Sequence, residues 1–234
     1  MNSERMEGIL KLIPKSEIVV DIGTDHAYIP EAIIKRNIAK KVIGTEINHQ
    51  PYLKAKDYIE NKSLDESIEI RKGDGLNIIN PEELKVTVIA GMGGLLINKI
   101  INENIFKFSE GDILILQPMN AVDKTRMFLD KNKFEIIDEI LCKEDYHYYT
   151  VLKSRFSRKH TFKKNNLDYI TNEILFKKRD KHIEEYINIK IKKNNIIIDN
   201  IKKNSSNKSK IRKLENINKK FKELLIKYEF KLYS

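Results

Sequence analysis

Five short apolar runs, rich in isoleucine and valine, recur through the first half of the sequence, and each ends in turn residues. Several of them are nearly continuous in apolarity, which is typical of strands that are buried on both faces of a parallel sheet. Segments with helical character separate the runs, so strand and helix alternate along the chain. This alternation predicts a doubly wound α/β sheet. The predicted strands are Ile18–Ile22, Val42–Glu46, Ile68–Lys72, Val86–Ala90 and Ile113–Gln117.

Two further strand candidates follow these five. They are Phe134–Cys142 and Tyr148–Lys153, and a short polar link separates them, which predicts antiparallel pairing. The sequence therefore predicts a seven-stranded, Rossmann-like sheet. The helical segments predicted between its strands are Tyr28–Asn37, Pro51–Asn61, a single turn at Pro81–Leu84, Leu95–Glu103 and Ala121–Lys131.

The composition changes after residue 154. Residues 155–234 contain no Gly or Pro and carry 23 Lys and Arg against nine Asp and Glu, a net charge of +14. Residues 1–154 carry 21 Lys and Arg against 25 Asp and Glu, a net charge of −4. This asymmetry predicts two domains, 1–154 and 155–234, and suggests a polyanionic partner for the basic one. The alternative is an ordinary solvated surface on a Lys-rich helix pair.

Apolar residues in the basic domain follow gaps of three and four. They form two heptad seams, which predict an antiparallel coiled-coil hairpin that reverses at Asn204–Ser209. A helix over Leu167–Arg179 should precede the hairpin. The alternative is a coiled coil between two chains, although a monomer is favoured. The seams are Ile187, Ile191, Ile198 and Ile201, with Asn194 in the intervening position, and Leu214, Ile217, Phe221, Leu224 and Tyr228.

Several classes of protein are disfavoured by what the sequence lacks. The single cysteine, Cys142, cannot form an intrachain disulfide, and the five histidines show no metal-ligand spacing, so no metal is expected. The N-terminal segment has no apolar core like that of a signal peptide. The longest mostly apolar run, Val86–Ile97, is too short to span a bilayer. We therefore expect a cytoplasmic protein that makes no membrane contact.

The segment DIGTDHAY, residues 21–28, joins the first predicted strand to the following helix, where open α/β sheets bind ligands. A dinucleotide would require G-x-G-x-x-G here. The segment has one glycine, Gly23, which suits a cofactor without phosphates, such as S-adenosylmethionine. Asp21 or Asp25 could accept hydrogen bonds from its ammonium group, with His26 and Tyr28 alongside. The alternative is that Asp25 or His26 only caps the helix.

Acidic residues also follow the second and third strands. Glu46, followed by Ile47, lies where adenosine cofactors have their ribose hydroxyls accepted by a carboxylate. Asp74, followed by Gly75, could accept a hydrogen bond from the adenine amine. The alternatives are an exposed charge at a strand end and a tight G-D-G turn.

The fourth and fifth strands end in AGMGG, residues 90–94, and QPMN, residues 117–120. The glycines of the first turn allow the backbone to approach a ligand closely, which makes Ala90, Gly91 and Met92 candidate cofactor contacts. In the second turn, Gln117 and Asn120 offer donors and acceptors for the edge of a base. The alternative is ordinary turn chemistry.

Together these motifs, followed by Tyr148 and Tyr149 and a helical tail, closely resemble the bacterial tRNA (adenine-22-N1)-methyltransferase family. The resemblance covers about Ile18–Lys153. It implies a class I methyltransferase sheet with a C-terminal coiled-coil domain. One departure is QPMN, where some members have QPN, so either Gln117 or Asn120 could face the base.

The resemblance implies transfer of a methyl group from S-adenosylmethionine to N1 of an adenine in tRNA. That atom has a lone pair and needs no general base, so positioning and charge stabilisation should dominate. Asp25, Gln117 and Asn120 are the candidate catalytic residues, and Tyr28, Tyr148 and Tyr149 could stack on the opened base. Two other functions remain open: a non-catalytic module that binds RNA and senses the cofactor, and a methyltransferase for another RNA or a non-RNA substrate.

Overall fold

A computed structural model describes residues 3–162, 166–171, 173–204 and 207–233. The chain divides into two compact units, Met1–Phe162 and Lys163–Ser234. The predicted domain boundary at residue 154 falls inside the last strand. That strand continues to Phe156, because Arg155 pairs with Ile113 and Phe156 pairs with Phe134.

The first unit is built on one seven-stranded mixed sheet, which confirms the predicted fold class. Its strand order is β3-β2-β1-β4-β5-β7-β6. The first five strands are parallel and the last two are antiparallel to their neighbours. The strands are β1 (Ser16–Ile22), β2 (Ala39–Glu46), β3 (Ile68–Lys72), β4 (Val86–Met92), β5 (Ile113–Pro118), β6 (Phe134–Glu144) and β7 (His147–Phe156).

Helices cover both faces of this sheet, because the central strands present apolar side chains on both sides. Val19, Val42 and Val88 belong to the core on one face, and Val20 and Ile89 belong to the core on the other. Such double burial explains why the strands are apolar without alternation. The helices of this unit are α1 (Glu4–Leu12), α2 (Tyr28–Lys35), α3 (His49–Asn61), α4 (Gly94–Glu103) and α5 (Val122–Lys131), with short 3₁₀ turns at Gly75–Ile78, Pro81–Glu83 and Ile105–Lys107.

Helix α1 was not predicted from the sequence. Ser3 caps it by accepting a hydrogen bond from the Met6 backbone N–H, and its Ile9 and Leu10 are buried in the core. The helix has only nine residues, so its stability comes from packing against the sheet rather than from a long periodic pattern.

The second unit contains α6 (Asn166–Thr171), α7 (Glu173–Lys177), α8 (Ile183–Asn204) and α9 (Lys208–Lys227). The prediction of a single helix over Leu167–Arg179 is wrong about where the helical structure ends. Helical structure stops at Lys177, and Arg179 has a φ of 49°, which a helix cannot accommodate. Within the predicted hairpin reversal, residues 205 and 206 lie outside the described residues.

Helices α8 and α9 run antiparallel and pack along the predicted apolar seams. The seam residues Ile187, Ile191, Ile198, Ile217, Phe221 and Leu224 are all buried. The pairing is also polar. Asn194 Nδ2 donates to Asn218 Oδ1 at 2.8 Å, and Asn218 Nδ2 donates to Asn195 Oδ1 at 2.8 Å. Asn218 is buried, and a buried amide that is satisfied in this way fixes the register of a helix pair.

Candidate cofactor and substrate site

The carboxyl ends of the five parallel strands form one continuous edge, because backbone hydrogen bonds join the loops that follow them. Gly23 N–H donates to the Thr45 carbonyl at 2.9 Å, and Gly73 N–H donates to the Glu46 carbonyl at 3.0 Å. At the other end, Met119 N–H donates to the Met92 carbonyl at 2.8 Å. The motifs that are separated in the sequence therefore lie side by side.

The loop after β1 depends on backbone conformations that are unusual for most residues. Gly23 has a φ of 72°, and a Cβ there would collide with Met92 Cε. Asp25 and Ala27 also have positive φ values, 49° and 57°. Ala27 is the N-cap of α2, and no side chain caps the helix. The alternative that Asp25 or His26 serves as a helix cap is therefore wrong.

Asp21 is the buried carboxyl group of this edge. Only 2% of the residue is exposed, and burial raises the pKa of Asp21 to about 7. In the part of the chain that the structure describes, no lysine or arginine forms an ion pair with it. A buried carboxylate without a cation favours the binding of a positively charged ligand group beside it.

The raised pKa makes a prediction about stability. The unfolded chain releases this proton near the ordinary value of 3.8, whereas the folded protein keeps it to about pH 7. The contribution of Asp21 to stability therefore falls as the pH rises from about 4 to about 7, and it is constant above that. We expect Asp21→Asn to remove this fall and, without ligand at pH 8, to raise the free energy of unfolding by about 4 kcal/mol. Urea unfolding of the wild type and the variant at pH 5 and at pH 8 measures this change in the free energy of unfolding. An equal change at the two pH values would contradict the prediction.

Asp25 and His26 of this loop, and Tyr28 at the start of α2, face solvent. Asp25 Oδ2 lies 3.7 Å from His26 Nε2, and both side chains are about half exposed or more. The His26 ring stacks on Tyr28, with 5.4 Å between ring centroids, and Tyr28 also meets the edge of Tyr58. Tyr28 is 52% exposed. The structure thus brings Asp25, His26 and Tyr28 together as an accessible group.

Glu46 ends β2 and is almost fully buried. Its Oε1 accepts a hydrogen bond from the Asn48 backbone N–H at 3.0 Å, which orients the carboxylate. Within the described residues Oε2 accepts none. The next side chain, Ile47, is 56% exposed. A carboxylate held by one oxygen, next to an exposed apolar side chain, suits a ligand that has hydroxyl groups and a flat apolar face.

Asp74 and Gly75 lie in the turn after β3. Asp74 is exposed, and its Oδ2 accepts a hydrogen bond from Asn77 Nδ2 at 3.3 Å. Gly75 has a φ of 52°, which allows the chain to enter the 3₁₀ turn directly. The carboxylate is therefore accessible at the same edge as Glu46.

The corner after β4 leaves open space beside the backbone. Gly91 has a φ of 75°, and a Cβ there would meet no atom within 4 Å. Its N–H donates to Gln117 Oε1 at 3.1 Å, across a local shift in the β4–β5 register between Ala90 and Met92. A ligand could approach the backbone closely at this corner.

The two polar residues of the QPMN turn have different environments. Gln117 is 1% exposed, and both ends of its amide have partners within the protein, Gly91 N–H and Met119 Sδ at 3.6 Å. Asn120 is exposed, and its Oδ1 accepts a hydrogen bond from the Gly94 N–H at 3.2 Å. Gln117 holds the corner together, whereas Asn120 is the residue that a substrate can reach.

Arg5 is a residue of this edge that the sequence reasoning missed. Its Nη1 lies 3.4 Å from Met119 Sδ, and its guanidinium stands over the Tyr149 ring, 5.2 Å from the centroid. Arg5 and Met119 are 114 residues apart, so no local motif could reveal the contact. The Tyr148 ring, by contrast, is covered by Lys143, whose Nζ lies 5.5 Å from its centroid.

Comparison with known proteins identifies the family of the unit that carries this edge. A family model described as a methyltransferase domain matches residues 2–152. The chain belongs to this methyltransferase-domain family. The match ends within β7, so the methyltransferase domain corresponds to the sheet unit whose edge carries the motifs.

The resemblance to tRNA (adenine-22-N1)-methyltransferases is confirmed by individual relatives of this methyltransferase. The tRNA (adenine(22)-N(1))-methyltransferase of Bacillus subtilis is 37% identical over 150 residues, which are 64% of this chain and 63% of that protein. The crystal structure of the B. subtilis M1A22 tRNA methyltransferase has 27% identity and a TM-score of 0.84, covering 96% of this chain and 99% of that one. A Streptococcus pneumoniae structure in complex with S-adenosyl-L-methionine has 28% identity and a TM-score of 0.81, covering 96% and 100%.

Two further observations concern metals and membranes. Among the described residues, no group of three or more His, Cys, Asp or Glu side chains could hold a metal ion. None of the described helices is long and apolar enough to cross a bilayer.

Proposed function

We propose that this methyltransferase transfers a methyl group from S-adenosylmethionine to N1 of adenine 22 in tRNA. The observation that carries the proposal is the strand edge itself. At this edge lie the Glu46 carboxylate, which accepts a hydrogen bond through only one oxygen among the described residues, and the open corner at Gly91. The relatives of the chain include a tRNA (adenine(22)-N(1))-methyltransferase. The chain matches 63% of the length of the B. subtilis relative, which is less than two thirds, so the activity of that relative is proposed for this chain.

The residues at the edge fit S-adenosylmethionine. Asp21 would favour its ammonium group and Glu46 its ribose hydroxyls, while Asp74 would accept from the adenine amine. Gly23, Asp25, His26, Tyr28, Ile47, Gly75, Ala90, Gly91 and Met92 would complete the contacts. The donor set is appropriate because it combines carboxylates with glycine corners and contains no phosphate-binding glycine loop.

The chain's own residues then have to position the acceptor base. When bound, the cofactor supplies an electrophilic methyl group on a sulfonium ion. Adenine N1 attacks through its lone pair, so no side chain needs to remove a proton. Asn120 would orient the base edge, and Gln117 would act indirectly by holding the Gly91 corner. Asp25 would stabilise the positive charge that the adenine acquires.

The substrate must present an unpaired adenine, because N1 lies on the Watson–Crick edge. Opening the base costs a few kcal/mol, which stacking on an accessible aromatic ring such as Tyr28 would partly offset. The basic second unit would bind phosphates and follow the shape of the RNA. We place this reaction in the cytoplasm and expect a monomeric enzyme.

Glu46→Ala should weaken the binding of S-adenosylmethionine about 30-fold, because the ribose hydroxyls lose a charged acceptor. Titration calorimetry measures the affinity. Glu17→Ala is the matched control, since Glu17 lies near the amino end of β1, is 79% exposed and, among the residues that the structure describes, pairs only with Lys40. Unchanged affinity in the Glu46 variant would remove this residue from the site.

The activity is tested with an unmodified tRNA transcript and S-adenosylmethionine labelled in its methyl group. Label should enter the wild-type transcript and should not enter a transcript in which adenine 22 is replaced by guanine. Equal labelling of both transcripts would refute the position. Tight binding of cofactor and tRNA with no label transferred to any transcript would instead favour a non-catalytic sensor.

A further inference from the structure

Arg5 places a guanidinium group beside the substrate end of the edge. It lies in α1, yet its side chain reaches Met119, the residue that follows β5. Met119 is in turn joined to the β4 corner through its N–H, which donates to Met92, and to Gln117 through its sulfur. Arg5 is therefore linked to the Gly91 corner through Met119 and Gln117, although it belongs to none of the sequence motifs.

Contacts with neighbouring side chains hold the Arg5 guanidinium in place, but they do not engage all of its N–H donors in strong hydrogen bonds. The face of the Tyr149 ring supports it, and the Arg5 backbone N–H donates to Glu144 Oε1 at 3.1 Å. Its Nε lies 3.8 Å from Glu144 Oε2, which is beyond a hydrogen bond. Met119 sulfur is a weak acceptor. The side chain is 33% exposed and forms an ion pair with Glu144, but among the described residues no oxygen acceptor lies within hydrogen-bond distance of the guanidinium.

This arrangement contrasts with two other arginines at the surface of the same unit. Arg36 forms a two-pronged pair with Glu7, and Arg155 donates to Glu135 at 2.7 Å. Those guanidiniums donate to carboxylate oxygens at hydrogen-bond distance, whereas Arg5 reaches Glu144 only at 3.8 Å. A supported arginine whose N–H donors have no oxygen acceptor at hydrogen-bond distance among the described residues is a favourable place for an anion.

We propose that Arg5 binds a phosphodiester group of the RNA next to the adenine that is methylated, and that Tyr149 holds the guanidinium plane for this contact. The inference rests on the proposed function and adds a positioning residue to it. The planar fork of arginine matches two phosphate oxygens, and stacking on tyrosine reduces the entropy lost on binding. Fixing the backbone on one side of an opened nucleotide helps to keep its base at the methyl donor.

Arg5→Gln tests the role of the charge. We expect kcat/KM for tRNA to fall about tenfold or more, the affinity for S-adenosylmethionine to stay within twofold, and the dependence of log KM on log salt to decrease by about one. Arg5→Lys should keep the salt dependence but recover only part of the rate, because an ammonium group cannot bind two oxygens in one plane. Arg155→Gln removes the same charge from the same unit and should change none of these quantities.

The linkage is identified with synthetic tRNA in which single phosphates flanking adenine 22 are replaced by uncharged methylphosphonate. One linkage should lower the wild-type rate about tenfold and have no further effect in Arg5→Gln. If every linkage lowers the two rates equally, or if Arg5→Gln keeps the wild-type rate and salt dependence, the inference is wrong while the proposed function stands. If the wild-type protein labels no tRNA, both are wrong. Thermal unfolding of each variant checks that a lost rate is not lost folding.

Discussion

Deletion of residues 163–234 should lower methyl transfer to tRNA about a hundredfold while leaving the affinity for S-adenosylmethionine within about twofold. The second unit carries 20 Lys and Arg against nine Asp and Glu, a net charge of +11, and each phosphate contact that is lost lowers RNA affinity strongly at physiological salt. The first unit keeps both of its apolar cores and the whole strand edge, so its cofactor contacts should persist. Transfer assays and calorimetry on the shortened chain measure the two effects separately.

The cut after residue 162 matters for this experiment. A cut after 154 would remove Arg155 and Phe156, which pair with β5 and β6, and would therefore destabilise the sheet itself. Loss of transfer by about a hundredfold, with retained cofactor affinity, would assign RNA recognition to the second unit. Full activity of the shortened protein on tRNA would contradict that role, and activity on a non-RNA acceptor alone would favour a different substrate class.

Replacement of Arg126 by methionine should lower the free energy of unfolding by about 3 to 5 kcal/mol. Arg126, on α5, donates from Nε to Glu139 Oε1 at 2.9 Å and from Nη2 to Glu139 Oε2 at 2.6 Å. The arginine side chain is 8% exposed and the glutamate side chain is fully buried. Removing one partner leaves a buried charge without its counterion. Urea unfolding followed by circular dichroism measures the change.

Two variants provide controls for this prediction. Arg126→Met combined with Glu139→Leu should recover most of the loss, because it removes both charges together. Arg155→Met breaks a pair of similar length, 2.7 Å, that is nearly half exposed, and should cost about 1 kcal/mol or less. If the Arg126 and Arg155 variants lose equal stability, the buried pair does not have the importance that the structure gives it.

The parallel strands were predictable because their cause is local. Runs such as Val86–Ala90 are apolar at every position except Thr87, since both sheet faces are covered, and the turns that end the strands carry the glycines and acids of the site. The edge position of Glu46 and Asp74 followed directly, because parallel strands end on the same side. The exact ends were less predictable: β7 continues to Phe156 through pairing with residues distant in the sequence.

The features that sequence reasoning missed depend on long-range contacts. Helix α1 is short and forms against the sheet, so its pattern alone was too weak to predict it. Gln117 and Asn120 were equivalent candidates in the sequence. Only the partner of each amide distinguishes them, with Gly91 and Met119 enclosing Gln117. Arg5 reaches Met119 across the fold, and nothing near Arg5 in the sequence indicates that it does.

Primer extension across tRNA after incubation with the enzyme and S-adenosylmethionine tests the central claim most directly. A methyl group on N1 blocks the Watson–Crick edge of adenine, so reverse transcription should stop one nucleotide before position 22. The stop should require the cofactor and should disappear with Glu46→Ala at limiting cofactor concentration. Labelled tRNA that is copied to full length, or that stops at another adenine, would contradict methylation of N1 of adenine 22.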